Sequence, residues 1–160
     1  MATTTTLEGQ TGSTIGSVLR PIHAHWLQRT RRTLEPVLSP KANFWDRWTA
    51  ARFLDDPFDA HYRHEVALVG SLIACLPAPA AGRLTALAET LEAARGQLDL
   101  LGRRRGVART ASVVAREFLD LFQLWCAEVE EALGGLRRDE LPARSHELLL
   151  ALEATASVEP

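Results

Sequence analysis

Apolar residues recur every three or four positions through most of this chain, and no stretch shows the two-residue alternation of a strand. That periodicity predicts an all-α fold. Val18, Ile22, Trp26, Thr30 and Leu34 form a first stripe. The helix that carries it is expected to begin near Ser17 or Pro21. It should end before Glu35-Pro36, because a residue preceding proline avoids helical backbone. Ser39-Pro40 offers a cap followed by a first-turn proline, so a second helix is expected from there to Leu76, where Pro77-Ala-Pro79 stops it. Asp56-Pro57 interrupts this segment: either the helix kinks, or a new one starts with Asp56 as its cap. Leu84, Leu87, Leu91, Ala94, Leu98 and Leu101 mark a third helix from about Ala80 to Leu101. A fourth spans about Thr110 to Leu133, on the stripe Ala111, Ala115, Phe118, Phe122, Trp125 or Cys126, Val129 and Leu133, and Gly134-Gly135 ends it. A shorter fifth covers about Ala143 to Ala154.

Four long amphipathic helices with short connections imply an antiparallel four-helix bundle of up-down-up-down order over 17–135. A disordered tail is expected over 1–16, where apolar groups are few, and a C-terminal helix and tail over 136–160. A chain of 160 residues suffices to bury one core. Its 18 basic and 20 acidic residues nearly cancel, which argues against a whole-chain binder of nucleic acid or membrane surface. The longest uncharged run, Val66 to Gly82, contains Pro77 and Pro79, so its continuous helix falls short of the roughly 20 residues of a membrane span. The N-terminus has no basic or apolar leader region, and a cytoplasmic location is expected. A single lysine, Lys41, among many arginines, with abundant Ala and Leu, suggests a GC-rich bacterial source. Cys75 and Cys126 fall in predicted helices and read as buried free thiols.

The second helix carries a polar intrusion. On a wheel of 100° per residue, Phe58, Tyr62, Val69 and Leu76 centre one face, flanked by Val66, Ile73 and Leu72. Glu65 falls inside that face and His61 at its edge one turn earlier; His64 points to the polar side. An ionised carboxylate in a core must be paired, neutralised or metal-bound. His61 and Glu65, four apart, can meet. His25 lies on the Val18/Ile22 side of the first stripe and can also look inward. Two histidines and a carboxylate converging between helices are a ligand set for iron, manganese or zinc. The alternative is structural: His61 and Glu65 pair with each other, or with Arg95 or Arg116, and His25 donates to a backbone carbonyl. His23 and His25, two apart on a helix, do not share a face and make no joint site.

The segment Phe53-Leu-Asp-Asp-Pro-Phe-Asp-Ala-His61-Tyr-Arg-His-Glu65 resembles the second helix of hemerythrin-like cation-binding domains. Phe118 to Leu133 is similar to that family's fourth helix. The resemblance spans about 18–135 and implies a metal site with ligands from all four helices: His25 on the first, His61 and Glu65 on the second. The third-helix ligand position holds Ala94. On the fourth helix the histidine position holds Trp125 and the carboxylate position Val129; a one-residue slip gives Cys126 and Glu130 instead. The chain therefore departs from the family in its second half. The resemblance implies a degenerate site with at most one metal ion, or a metal-free interaction or regulatory bundle.

Other features are less specific. Arg103, Arg104, Arg105 and Arg109 form a basic loop region that suits a solvated loop beside a helix C-terminus better than a phosphate grip. Trp45 and Trp48 suit core packing, or a contact surface for a partner or second copy. Leu148, Leu149, Leu150 and Leu152 wrap more than one face and suit the same two roles. No nucleophile arrangement or glycine-rich phosphate loop stands out, and the sequence assigns no turnover chemistry.

Overall fold

The computed structural model describes residues 13–39, 41–102 and 108–157. The expected tail up to residue 12 and the 103–105 arginine loop lie outside them, as does the side chain of Arg109. Among the described residues the chain is all-helical, with only an isolated bridge between Thr14 and Arg137. No helix there is long and apolar enough to cross a membrane.

Helix α1 spans Ile15–Leu38, α2 Phe44–Phe53, α3 Asp59–Leu72, α4 Ala78–Gly102, α5 Ala108–Leu133 and α6 Ala143–Ser157. Helix α1 packs chiefly on α5, α5 also on α4, α2 on α4 and α1, and α6 on α3 and α1. The core joins Leu19, Trp26 and Leu34 of α1, Phe58 and Val69, Leu84 and Leu91 of α4, Phe118, Phe122 and Trp125 of α5, and Leu149 and Leu152 of α6. Leu150 alone of the last leucine run is well exposed.

Several boundaries differ from expectation. Helix α1 starts at Ile15, because Thr14 caps it by accepting a hydrogen bond from the Ser17 amide. It then runs through Pro36 to Leu38, and Val37 in that last turn is buried. Ser39 closes α1, donating its N–H to the Pro36 carbonyl, and so does not open α2. The cap of α2 is Asn43: its side chain accepts from the Asp46 amide (2.9 Å) while Asp46 accepts from the Asn43 amide (3.1 Å), a reciprocal capping box. Pro57 neither breaks nor restarts the helix. A π-helical turn over Leu54–Phe58 joins α2 to α3 and absorbs the missing proline N–H. Past Leu72 the chain tightens into a 3-10 turn, Ile73–Cys75, which leaves Cys75 exposed rather than buried. Cys126 is buried as expected.

One backbone junction sets the register of α1 against α5. The Ile15 amide donates to the Leu136 carbonyl (2.8 Å), Gly16 to Gly134 (3.2 Å) and Arg138 to Ser13 (2.9 Å). A Cβ on Gly16 would sit 3.0 Å from the Gly134 oxygen, and one on Gly134 only 2.1 Å from the Glu130 oxygen, so both glycines serve close approach. His23 is two turns along α1 from this junction, and Glu130 is one turn back along α5.

Candidate functional site

Four polar side chains from three helices meet where the sequence predicts only part of such a set. His61 and Glu65 are fully buried on α3, one turn apart and just beyond the π-helical turn. The histidine that joins them from α1 is His23, 1% exposed, and not His25. Its Nε2 contacts Glu65 Oε1, and its Nδ1 lies 2.8 Å from Glu130 Oε2 on α5. Glu130 is half-buried and also faces the exposed Arg20, at 3.8 Å. His61 Nε2 lies 2.9 Å from Glu65 Oε2, but off the hydrogen-bond direction. Both atoms, and His61 Nδ1, are buried without a hydrogen-bond partner. The His61 ring stacks on Trp26 (4.8 Å, 19°). Trp26 also lines a surface cavity of about 420 Å³ with Arg29, Asp56, Pro57, Ala60 and Thr155.

His25 sits apart from this cluster. It is half-buried, edge-on to Trp26, and lines a different surface cavity with Ser17, Pro21 and Glu153. The wheel explains the exchange. Leu19, fully buried, lies about 40° from His23 but about 120° from His25 at 100° per residue. Helix α1 thus turns its Leu19–His23–Trp26–Thr30 face to the core, with Val18 only partly covered. Glu130, which contacts His23, corresponds to the slipped α5 register, four residues after the buried Cys126.

The apolar residues that the sequence sets opposite these groups stay apolar in the fold. Ala94, Trp125 and Val129 are buried and apolar, and Trp125 meets Tyr62 edge-on at 5.8 Å. Arg95 does not reach Glu65; it pairs with Asp59 and Glu92. Tyr62 Oη donates to the Ala88 carbonyl (3.3 Å), tying α3 to α4.

The electrostatics follow from burial and pairing. Burial alone would lower the His23 pKa, but Glu65 and then Glu130 outweigh it and raise it to about 9. Burial alone would raise that of Glu65, yet His23, with help from His61, holds it well below the usual carboxylate range. The pair is therefore an imidazolium between two carboxylates. Burial, then Glu65 and Glu130, pushes the Cys126 thiol far up, so it is protonated in this arrangement.

Among the described residues no group of three or more His, Cys, Asp or Glu side chains stands ready to hold a metal ion. Both nitrogens of His23 are engaged by carboxylates. Imidazole and carboxylate are the donor types that take such an ion. His61 and Glu65 carry buried lone pairs with no partner, and each such group costs about 1–3 kcal/mol. Glu130 on Nδ1 leaves His23 Nε2 directed at Glu65, the carboxylate–histidine pattern that orients metal ligands.

Comparison with known protein families, curated proteins and solved structures yields no match to this chain.

Proposed function

We propose that this chain is a hemerythrin-like, antiparallel four-helix bundle that binds a single transition-metal ion, iron, manganese or zinc, through His23, His61 and Glu65. The single observation that carries this reading is the unpartnered, fully buried His61 beside the unpartnered Glu65 Oε2. When bound, an ion held by two histidines and one carboxylate acts as a Lewis acid with open coordination positions. The protein side is explicit. Glu130 holds the His23 tautomer, Trp26 fixes the His61 ring by stacking, and Glu65 bonds His23 while lying 2.9 Å from His61 Nε2. A proton on His23 Nε2 competes with the ion for that nitrogen, so loading releases it. Ala94, Trp125 and Val129 cannot ligate, which supports one ion rather than two and argues against a di-iron oxygen carrier.

Metal analysis of protein purified without a histidine tag tests this. The expectation is close to one ion per chain, lost in His61→Ala. Substoichiometric metal in wild type, or metal unaffected by His61→Ala, contradicts it.

A second reading, a metal-free interaction module, has its own observation. Trp45 and Trp48 are 66% and 41% exposed, next to exposed Phe44, where core packing was the default expectation. The two indoles meet edge-on at 6.0 Å and Arg52 lies over Trp48 at 5.0 Å. Contiguous exposed aromatics of this kind suit a partner or a second copy. A strictly monomeric protein that captures nothing from its own cell extract would remove that support.

A further inference from the structure

We infer that the surface cavity beside Trp26 binds a free α-amino acid with an aliphatic side chain, its carboxylate on Arg29 and its ammonium on Asp56. This goes beyond the metal-binding reading and does not depend on it.

The cavity, about 420 Å³, falls within the roughly 300–1,000 Å³ of small-molecule sites. Three parts of the fold build it. Helix α1 supplies Trp26 and Arg29, and the π-helical turn with the start of α3 supplies Asp56, Pro57 and Ala60. The end of α6, which packs on both α1 and α3, closes it with Ala154 and Thr155.

Its two charged groups have opposite sign. The Arg29 guanidinium is held in place, its carbon 5.2 Å from the Trp26 ring centroid and 5.1 Å from that of Phe53. A guanidinium fixed in this way presents a planar fork of N–H donors that matches a carboxylate. The Trp26 indole N–H is buried without a hydrogen-bond partner, and a buried donor left so is costly. Asp56 is exposed at the rim, where its carboxylate can take an ammonium. Thr155 Oγ1 donates to the Ala151 carbonyl (2.7 Å) and keeps lone pairs to accept from the same ammonium.

These charges select the ligand class. A simple carboxylic acid meets Asp56, and a simple amine meets Arg29, each with like-charge repulsion. A molecule carrying both charges on one carbon satisfies both. Pro57, Ala60 and Ala154 bring apolar side chains only, which suits a short aliphatic group on the ligand.

Calorimetric titration of the full-length protein tests this with L-leucine, with N-acetyl-L-leucine, which lacks the ammonium, and with isoamylamine, which lacks the carboxylate. One saturable site is expected for L-leucine. Both analogues should bind at least about tenfold more weakly, the loss of one charge-assisted hydrogen bond. Asp56→Asn should weaken L-leucine by a similar factor and leave N-acetyl-L-leucine no weaker than in wild type. Arg29→Gln should weaken L-leucine and leave isoamylamine no weaker. Ala154→Phe, which fills the cavity from an exposed position, should abolish the site. No saturable L-leucine site in wild type overturns the inference. So does equal binding of either analogue, or unchanged L-leucine affinity in Asp56→Asn or Ala154→Phe. If Arg29→Gln fails to fold, Asp56→Asn and the two analogues decide, since Asp56 is exposed.

Discussion

On α1 and α3 the buried faces carry His23, His61 and Glu65 among Leu19, Trp26, Leu68 and Val69. On α4 the buried face is Leu84, Leu91, Ala94 and Leu98, and on α5 it is largely Ala115, Phe118, Phe122, Trp125 and Val129. The two regions share one core but are held differently. The apolar region is stabilised by packing that needs no particular partner and tolerates volume-conserving change. In the polar region the His23 imidazolium pairs with two carboxylates, while His61 stays buried without a hydrogen-bond partner. Desolvating such groups costs on the order of several kcal/mol each, which a hydrophobic core would not have to meet. A bundle that needed only stability would use leucine at those positions, so the polar set points to a role beyond folding.

Breaking the polar set should be the most damaging change. His23→Ala strands Glu65 in the core and should cost about 3–5 kcal/mol in denaturant unfolding. An apolar deletion across the core, Leu91→Ala, should cost roughly 2–5 kcal/mol, and it should leave metal loading of the folded protein unchanged. Similar loss of loading in both variants would erase the distinction between the regions.

A pH series separates them further. The His23 pKa rises from 6.5 to about 9 on folding, so its stabilising contribution is complete below 6.5 and is lost as pH climbs through about 9. Glu65, depressed on folding, contributes above the usual carboxylate range and loses that contribution as pH falls through it. Metal-free wild type and Leu91→Ala should both lose stability above neutral pH, with parallel slopes. His23→Ala should lack that alkaline decline. The smallest effect should come from the surface: Trp48→Ala should change stability by no more than about 0.5 kcal/mol, yet weaken any self-association seen by sedimentation.

The helices were legible because their apolar periodicity is long and regular. The Ala115, Phe118, Phe122 and Val129 face of α5 is buried as the stripe predicts. Ends were less legible, since two cap signals stood close together: Ser39-Pro40 looks like a start, but Asn43 with Asp46 forms the reciprocal cap. At Asp56-Pro57 the sequence leaves a kink or a new start open, because a π-helical turn has no signature in local propensity. At the site, His61 and Glu65 were legible from one helix wheel. His23 is not legible there because a stripe through Val18 is as regular as one through Leu19, and only the second turns His23 inward. Glu130 was visible only as the slipped register of α5. Nothing in the sequence tells which of two registers is used, because the Gly16–Gly134 junction that sets it is a tertiary contact.

The central claim, that α1 presents His23 and not His25 to an ion shared with His61 and Glu65, is tested most directly by comparing His23→Ala and His25→Ala with wild type in cobalt(II) or zinc titration calorimetry. The account predicts one site of unchanged affinity in His25→Ala and no measurable site in His23→Ala, with both variants folded by circular dichroism. A site retained in His23→Ala, or lost in His25→Ala, would contradict it.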